Sequence, residues 1–447
     1  MSELIISVSG LRGAVGESLT PEVALRYACA FAAGLEDGPI LVTRDGRTTG
    51  RMLVDAVRSG LCAVGRQVID ADLVATPTTG VLVRQLQAAG GIQVTASHNP
   101  ALYNGLKLFS REGRIITAAA GEQVASRYHA GHLAWVKHDH VGQVVSCADT
   151  LSAHAKLVLA TVDVERIRAR RFKILLDSNH ASGGPLGQRL LSDLRCDVTH
   201  VGAEPDGRFE HLPEPTFENL SDSCAQVASV GADVGFFPDP DADRLAVADE
   251  TGRYVGEEYT LALCTAHVLQ QRRGAVVTNV ATSRMAEDLA RQHGVPFFRA
   301  HVGEANVVEV MLAQQAVLGG EGNGGIIDPR VGYVRDSFVA MALILDALAA
   351  ADLKLSQLVD RLPRYYIEKT KITFDRRKLD RAVDVLKGLF PDAKFDDCAG
   401  RRFDWPGQWI LLHPSNTEPI VRIIAEANSP EESQGLCRRT ARALAEL

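Results

Sequence analysis

The chain is 447 residues long, 46% hydrophobic and 23% charged, with 48 Lys and Arg against 55 Asp and Glu. At about 150 residues per domain, that length predicts roughly three or four domains, with ample apolar sequence to bury. The formal net charge of −7 excludes a general nucleic-acid or anionic-membrane binder and leaves a local basic pocket for a small anion, so the expected partner is a small molecule.

The opening "MSELIISVSGLRG" has neither a basic leader nor a sustained apolar run, and no stretch of about 18 uninterrupted apolar residues occurs later. Cys29, Cys62, Cys147, Cys196, Cys224, Cys264, Cys398 and Cys437 stand singly, without a CxxC pair. That spacing points to buried thiols of a reducing compartment, and a cytoplasmic protein is expected.

Residues 39–71, "PILVTRDGRTTGRMLVDAVRSGLCAVGRQVIDA", predict a strand, a small-residue loop, an amphipathic helix and a second strand. The same order recurs over 172–201 and 274–300. Parallel strands need a helical crossover, so three such copies predict three related α/β domains with mixed, largely parallel sheets. "DTLSAHAKLVLATVDVERIRARR" reads as a linking helix between the first two. From about 363, "YYIEKTKITF" and "WILLHPSNTEPIVRIIAEA" read as strands framing a helix at "DRRKLDRAVDVLKGLF", a small α+β domain. The predicted domains are 1–150, 151–250, 251–362 and 363–447.

Ligands of such sheets gather at the carboxyl ends of the strands, and four loops there carry chemistry. The first, "TASHNP", holds Ser97 and His98, with Lys107 close by. A lone serine before "HNP" also suits a plain turn. The second, "DPDADR", spaces Asp239, Asp241 and Asp243 two apart. In extended chain such residues share a face, and converging carboxylates call for a hard cation such as Mg²⁺ or Ca²⁺. An EF-hand fails at its sixth position, where Arg244 replaces the required glycine, and an acidic solvated turn is the plain alternative. Arg244 beside the aspartates suggests an anion shared with the metal.

In the third loop, "GEGNGG", Gly320, Gly322 and Gly325 fit GxGxxG, which would suit a nicotinamide oxidoreductase. "IIDP" follows where that motif must open a helix, so the glycines read better as room for a ligand read by Glu321 and Asn323, or as a plain turn. The fourth, "HPSNTEPIVR", offers Ser415, Asn416 and Thr417 with Arg422 on the next strand, a set that suits a phosphate monoester as well as an ordinary turn.

In that order and across nearly the whole chain, "TASHNP", "DPDADR", "GEGNGG" and "PSNTEP" resemble the α-D-phosphohexomutase superfamily, which includes phosphoglucomutase, phosphomannomutase and phosphoglucosamine mutase. The resemblance implies a heart-shaped enzyme of four domains around a central cleft, interconverting hexose 1-phosphate and 6-phosphate through a 1,6-bisphosphate that also serves as activator. It implies that Ser97 is the phosphoserine. Asp239, Asp241 and Asp243, with an oxygen on Ser97, would hold one Mg²⁺ per chain. Glu321 and Asn323 would read the sugar, and Ser415, Asn416, Thr417 and Arg422 would bind phosphate. Arg12 of "SGLRG" and Lys107 would be active-site cations, Arg244 is added to the catalytic set by its place beside the aspartates, and Arg12, Lys107 and His98 are candidates for charge stabilisation or proton transfer. Three positions depart from the pattern. His413 stands where many members have arginine, while Glu304 and Gly325 stand where some bacterial members have histidines. The sugar stays open among glucosamine, glucose and mannose, and the oligomeric state is unread. A noncatalytic sugar-phosphate sensor would keep the pocket without turnover.

Overall fold

The protein, seen in a computed structural model that describes residues 3–7, 10–415 and 419–447, builds four sheets in chain order. The first contains β1 (Ile5–Ser7), β2 (Gly10–Ala14), β3 (Ile40–Arg44), β4 (Val68–Leu73), β5 (Gly90–Val94), β6 (Tyr103–Ser110) and β7 (Val144–Ser146), ordered β1-β2-β6-β5-β3-β4-β7. Its helices are α1 (Pro21–Ala32), α2 (Gly50–Ala63), α3 (Thr76–Gln85) and α4 (Ala118–Ala130). At its centre β3 pairs parallel with β4 and β5, and β6 returns antiparallel to β5.

The segment expected to be one linking helix is two, α5 (Ser152–Leu159) and α6 (Val164–Arg170). The break falls where Asp163 accepts the Arg166 N–H and starts a new helix. The second sheet, ordered β11-β10-β8-β9, uses β8 (Lys173–Asp177), β9 (Asp197–Val201), β10 (Val234–Pro238) and β11 (Leu245–Asp249), with α7 (Gly183–Asp193) and α8 (Phe217–Ser229). The third is ordered β13-β12-β14-β15. It uses β12 (Val276–Asn279), β13 (Phe297–Ala300), β14 (Leu318–Glu321) and β15 (Gly325–Ile327), with α9 (Glu257–Gln271), α10 (Met285–Gln292), α11 (Glu304–Gln314) and α12 (Ser337–Ala351).

One unit therefore occurs three times: three parallel strands, then a fourth that turns back antiparallel on the third. The turns between those last two strands hold Ser97, the aspartate run and the "EGNGG" glycines. The strands around them are apolar on both faces, as β10 "VGFFP" is, because helices cover them on either side.

The second and third units share one core, while each keeps a smaller one on its other face, around Leu175 and Phe237 in the second and Val277 and Met311 in the third. Helix α12, "SFVAMALILDALAAA", has no polar face and is buried from Ser337 to Leu348, the pattern of a central helix. Asp336 caps it by accepting the Phe338 and Val339 N–H groups. Its one buried charge, Asp346, is met by Arg166 at 2.6 Å and His267 at 2.8 Å. The resulting core runs from Ala75 and Val81 to Val359.

The last sheet is wholly antiparallel, ordered β16-β20-β19-β18-β17, from β16 (Tyr366–Thr373), β17 (Lys394–Asp396), β18 (Arg401–Trp405), β19 (Gln408–Pro414) and β20 (Ile420–Ala427). Helices α13 (Leu379–Leu389) and α14 (Pro430–Ala445) supply its apolar core with Leu386, Leu436 and Leu444. The cysteines are free, but only Cys29, Cys224, Cys264 and Cys437 are buried; Cys62, Cys147 and Cys196 are half-buried and Cys398 is exposed. Among the described residues no helix is long and apolar enough to cross a membrane.

Candidate active site

After β5 the chain turns sharply at Ser97, which adopts φ +50° and is 2% exposed. That left-handed conformation costs a residue with a Cβ about 1–2 kcal/mol, so its surroundings must impose it. Ser97 N donates to Thr95 Oγ1 (2.8 Å), and Ser97 Oγ donates to Asp239 Oδ2 (3.1 Å) and lies 3.3 Å from His98 Nδ1. Burial, then the Arg244 and Arg12 charges, push His98 down to about 3, so its imidazole is neutral.

The aspartates converge for a different reason from the one expected. Residues 239–244 form a turn between β10 and β11, with Ala242 at φ +54°, and not extended chain. Asp239 shapes this turn by accepting the Asp243 and Arg244 N–H groups, each at 3.1 Å. All three aspartates are at most 1% exposed. Burial and the other two carboxylates push Asp239 up to about 7. Burial opposes ionisation of Asp243, but Arg335, Lys107 and Arg244 together hold it below the usual carboxylate range.

Lys107 spans the set, donating to Asp241 Oδ2 (2.7 Å) and Asp243 Oδ2 (2.9 Å), and these charges outweigh its burial and raise its pKa. Arg244 Nε donates to Asp239 Oδ2 at 3.1 Å. Arg12 donates to Asn99 Oδ1 at 3.3 Å and is lowered by burial against the pull of Asp241 and Asp243. Thr76, at the start of α3, donates its hydroxyl to Asp241 Oδ2 (2.6 Å) and its N–H to the Asp241 carbonyl (2.8 Å). Each aspartate can place an oxygen within 4.8 Å of the others, and Asp241 Oδ1 and Asp243 Oδ1 are buried without hydrogen-bond partners. A carboxylate-only set with free oxygens fits Mg²⁺.

Arg335, unmarked in the sequence, joins the second loop to the third. It donates to Asp243 Oδ2 (2.7 Å) and Glu321 Oε2 (2.6 Å), and its Nε lies 3.3 Å from Glu304 Oε2. It also accounts for the two departures at Glu304 and Gly325. Glu304 pairs with it, and a Cβ on Gly325 would lie 2.3 Å from its Cδ. Glu321 is fully engaged, since its Oε1 accepts from Asn279 Nδ2 and Gly303 N. Asn323 Oδ1 is buried without a partner and is the loop's free acceptor. The "GEGNGG" segment is the β14–β15 turn and opens no helix, which removes the basis for a dinucleotide site.

Ser415 is buried at the end of β19, its N–H bonded to the Ile420 carbonyl. Arg422 is exposed on β20, directly across from His413, whose pKa burial and Arg422 lower. Asn416 and Thr417 lie outside the described residues. The structure thus gathers Ser97, His98, Lys107, Arg12, Arg244, Glu321 and the aspartates into one connected cluster, while Arg422 stands on the C-terminal sheet.

Three domain models described as phosphoglucomutase/phosphomannomutase α/β/α domains I, II and III match residues 4–134, 152–252 and 257–366. A phosphoglucomutase/phosphomannomutase of Thermococcus kodakarensis is 36% identical, covering 95% of each chain. A probable phosphoglucosamine mutase of Methanopyrus kandleri is 33% identical over 96% of this chain and 95% of its own. The crystal structure of a putative phosphomannomutase from Thermus thermophilus superposes with a TM-score of 0.85 at 24% identity, covering all of both chains. This four-domain chain belongs to the phosphoglucomutase/phosphomannomutase family of α-D-phosphohexomutases, isomerases that transfer a phosphate within a sugar and generally depend on Mg²⁺.

Proposed function

We propose that the chain interconverts hexose 1-phosphate and hexose 6-phosphate with Ser97 as the phosphoryl carrier. One observation carries this reading. The Ser97 hydroxyl meets Asp239 inside a buried cluster that pairs carboxylates bearing free oxygens with Lys107, Arg244 and Arg12, the surroundings of phosphoryl transfer rather than of acyl transfer.

A sugar hydroxyl oxygen bonds to phosphorus as the Ser97 Oγ–P bond breaks. The negative charge of the phosphoryl group offsets Arg244 and Arg12 at His98, which takes the hydroxyl proton and passes it to Ser97 Oγ, leaving free serine and a hexose 1,6-bisphosphate. The bisphosphate turns over in the cleft and its other phosphoryl returns to Ser97 by the same exchange. Lys107, Arg12 and Arg244 stay charged throughout and stabilise the transferring group. Asp239, Asp241 and Asp243, with a Ser97 phosphoryl oxygen, would hold a Mg²⁺ that adds positive charge there. Ser415 and Arg422, with Asn416 and Thr417, bind the phosphate that does not react.

A cavity of about 520 Å³ beside Gly322 favours glucosamine phosphate over the glucose and mannose compounds. Glu257, Glu258 and Glu426 line it, Lys369 is its one cation among the described residues, and Glu426 Oε2 is buried without a partner. Burial raises Glu257 to about 7 and Glu258 to about 8, and a protonated amine would draw them back to the charged form. The test is phosphorus NMR of each sugar 1-phosphate with Mg²⁺ and trace hexose 1,6-bisphosphate, alongside intact-mass measurement. Wild type should carry one phosphoryl group and Ser97→Ala none, and full activity in Ser97→Ala would refute the mechanism.

A further inference from the structure

We propose that Arg47, three residues past the end of β3, is the positioning residue that sets Ser97 for phosphoryl transfer; the proposal rests on Ser97 being the carrier. Arg47 is 2% exposed, and its guanidinium is spent on the turn that carries Ser97. Nη2 donates to the carbonyls of Ser97 (2.6 Å) and Asn99 (2.5 Å), and Nη1 donates to those of Pro100 and Tyr103 (both 2.9 Å). Its Nε donates to Asp45 Oδ2 at 3.1 Å.

The same Asp45 oxygen accepts from Thr95 Oγ1 (2.7 Å), and Thr95 Oγ1 accepts the Ser97 N–H (2.8 Å). Both backbone polar groups of Ser97 are therefore fixed from one buried Asp45–Arg47 pair. This explains how Ser97 holds a left-handed φ that a residue with a side chain disfavours. Only a planar fork with five N–H donors can serve these acceptors together, which an ammonium cannot do.

The second unit closes over this clamp. The Arg47 guanidinium lies 5.2 Å from the centre of the Phe209 ring, and Gly207 (φ +74°) packs so tightly that a Cβ there would lie 2.8 Å from Arg47 Cα. Arg47 touches neither the aspartates nor the sugar loop among its hydrogen bonds, so its effect on the reaction passes through the aim of Ser97 Oγ. A displacement of about 1 Å in a reacting group can cost on the order of 100-fold in rate.

Arg47→Lys keeps the charge opposite Asp45 and removes the fork. The expected result is a kcat lower by about 10- to 100-fold, a KM for hexose phosphate within about threefold of wild type, and an equal slowing of phosphoryl transfer from hexose 1,6-bisphosphate onto Ser97, followed by quenched-flow intact mass. Equal loss in both rates at constant KM supports the clamp. A wild-type rate of Ser97 phosphorylation, or a loss expressed in KM, overturns it. If Arg47→Lys lacks a native circular dichroism spectrum, Asp45→Asn is read in the same way, with about 3- to 10-fold expected because the guanidinium stays but loses its charged anchor. If wild-type Ser97 takes up no phosphoryl group, the carrier assignment fails and the clamp with it; if wild type takes it up and the variant matches its rate, only the clamp fails.

Discussion

Arg335→Met tests whether one side chain holds the aspartate turn and the β14–β15 turn together. The substitution keeps much of the buried stem and deletes the charge facing Asp243, Glu321 and Glu304, which are 0%, 3% and 8% exposed. Two charge-assisted hydrogen bonds are lost, at 2.7 and 2.6 Å, worth about 1.5–3 kcal/mol each. Breaking a buried ion pair from one side costs about 3–5 kcal/mol, so both routes give a similar figure. With a urea slope of about 2–3 kcal/mol/M, the midpoint should fall by about 1–3 M. The assay is urea unfolding in chelator, followed by far-UV circular dichroism at pH 6 and pH 8. Glu304 is already raised to about 7 by burial, against the pull of Arg335. Without Arg335 it rises further, so the folded variant binds protons that the unfolded chain releases. Its stability is then greatest at low pH and is lost as pH rises through the folded pKa. Added Mg²⁺ should restore part of the midpoint at pH 8, because it replaces positive charge beside Asp243. A wild-type midpoint at both pH values would refute the reasoning.

Asp241→Asn should lose stability in chelator, because against burial and Asp243 the ionised carboxylate is held below its usual range by Lys107 at 2.7 Å and the Thr76 hydroxyl at 2.6 Å, and it should show a smaller Mg²⁺-induced rise in melting temperature than wild type and little turnover; normal turnover in chelator would contradict the metal assignment. Arg422→Ala should raise KM by about 10- to 150-fold with kcat nearly unchanged, from the 1-phosphate and the 6-phosphate alike, since about 1.5–3 kcal/mol of phosphate binding is lost in ground state and transition state equally. An effect in one direction only would assign Arg422 another task. His211 is raised because its hydrogen bond to Asp177 at 3.2 Å outweighs burial. That contribution is full below the unfolded pKa near 6.5 and disappears as pH rises through the folded value, so His211→Gln should flatten the stability profile across that window in thermal melts.

The repeated strand and helix order was legible because each unit writes its own apolar periodicity over about 30 residues. The four loops stood out because each is a short run of unusual residues. Arg335 and Arg47 were not. Asp243 lies 92 residues before Arg335 and the Ser97 carbonyl 50 residues after Arg47, so in the sequence each is only an arginine near an aspartate. The aspartates illustrate a different limit. Their spacing suggested a shared face of extended chain, whereas the left-handed Ala242 and the backbone bonds to Asp239 Oδ1 bring them together in a turn. Helix α12 did carry a readable sign of its central place, since fifteen residues without a polar face have no side to give to water.

A hairpin turn is where a sheet can change length and side chains without shifting strand register. If the proposed assignments hold, each of the three α/β units keeps its reactive residues in such a turn, and substrate preference can drift through β14–β15 while phosphoryl chemistry stays at the other two. The freedom is narrow. Gly324 accepts the Leu245 N–H, and a Cβ at Gly324 would lie 2.4 Å from the Leu245 carbonyl oxygen. That pins the base of the β14–β15 turn to the strand following the aspartates. Its tip is held as well: a Cβ on Gly322 would lie 2.1 Å from Glu258 Oε1, and the Gly322 N–H donates to Thr282 Oγ1 at 3.0 Å, so variation in this turn falls chiefly on Asn323 and on the side chains facing it.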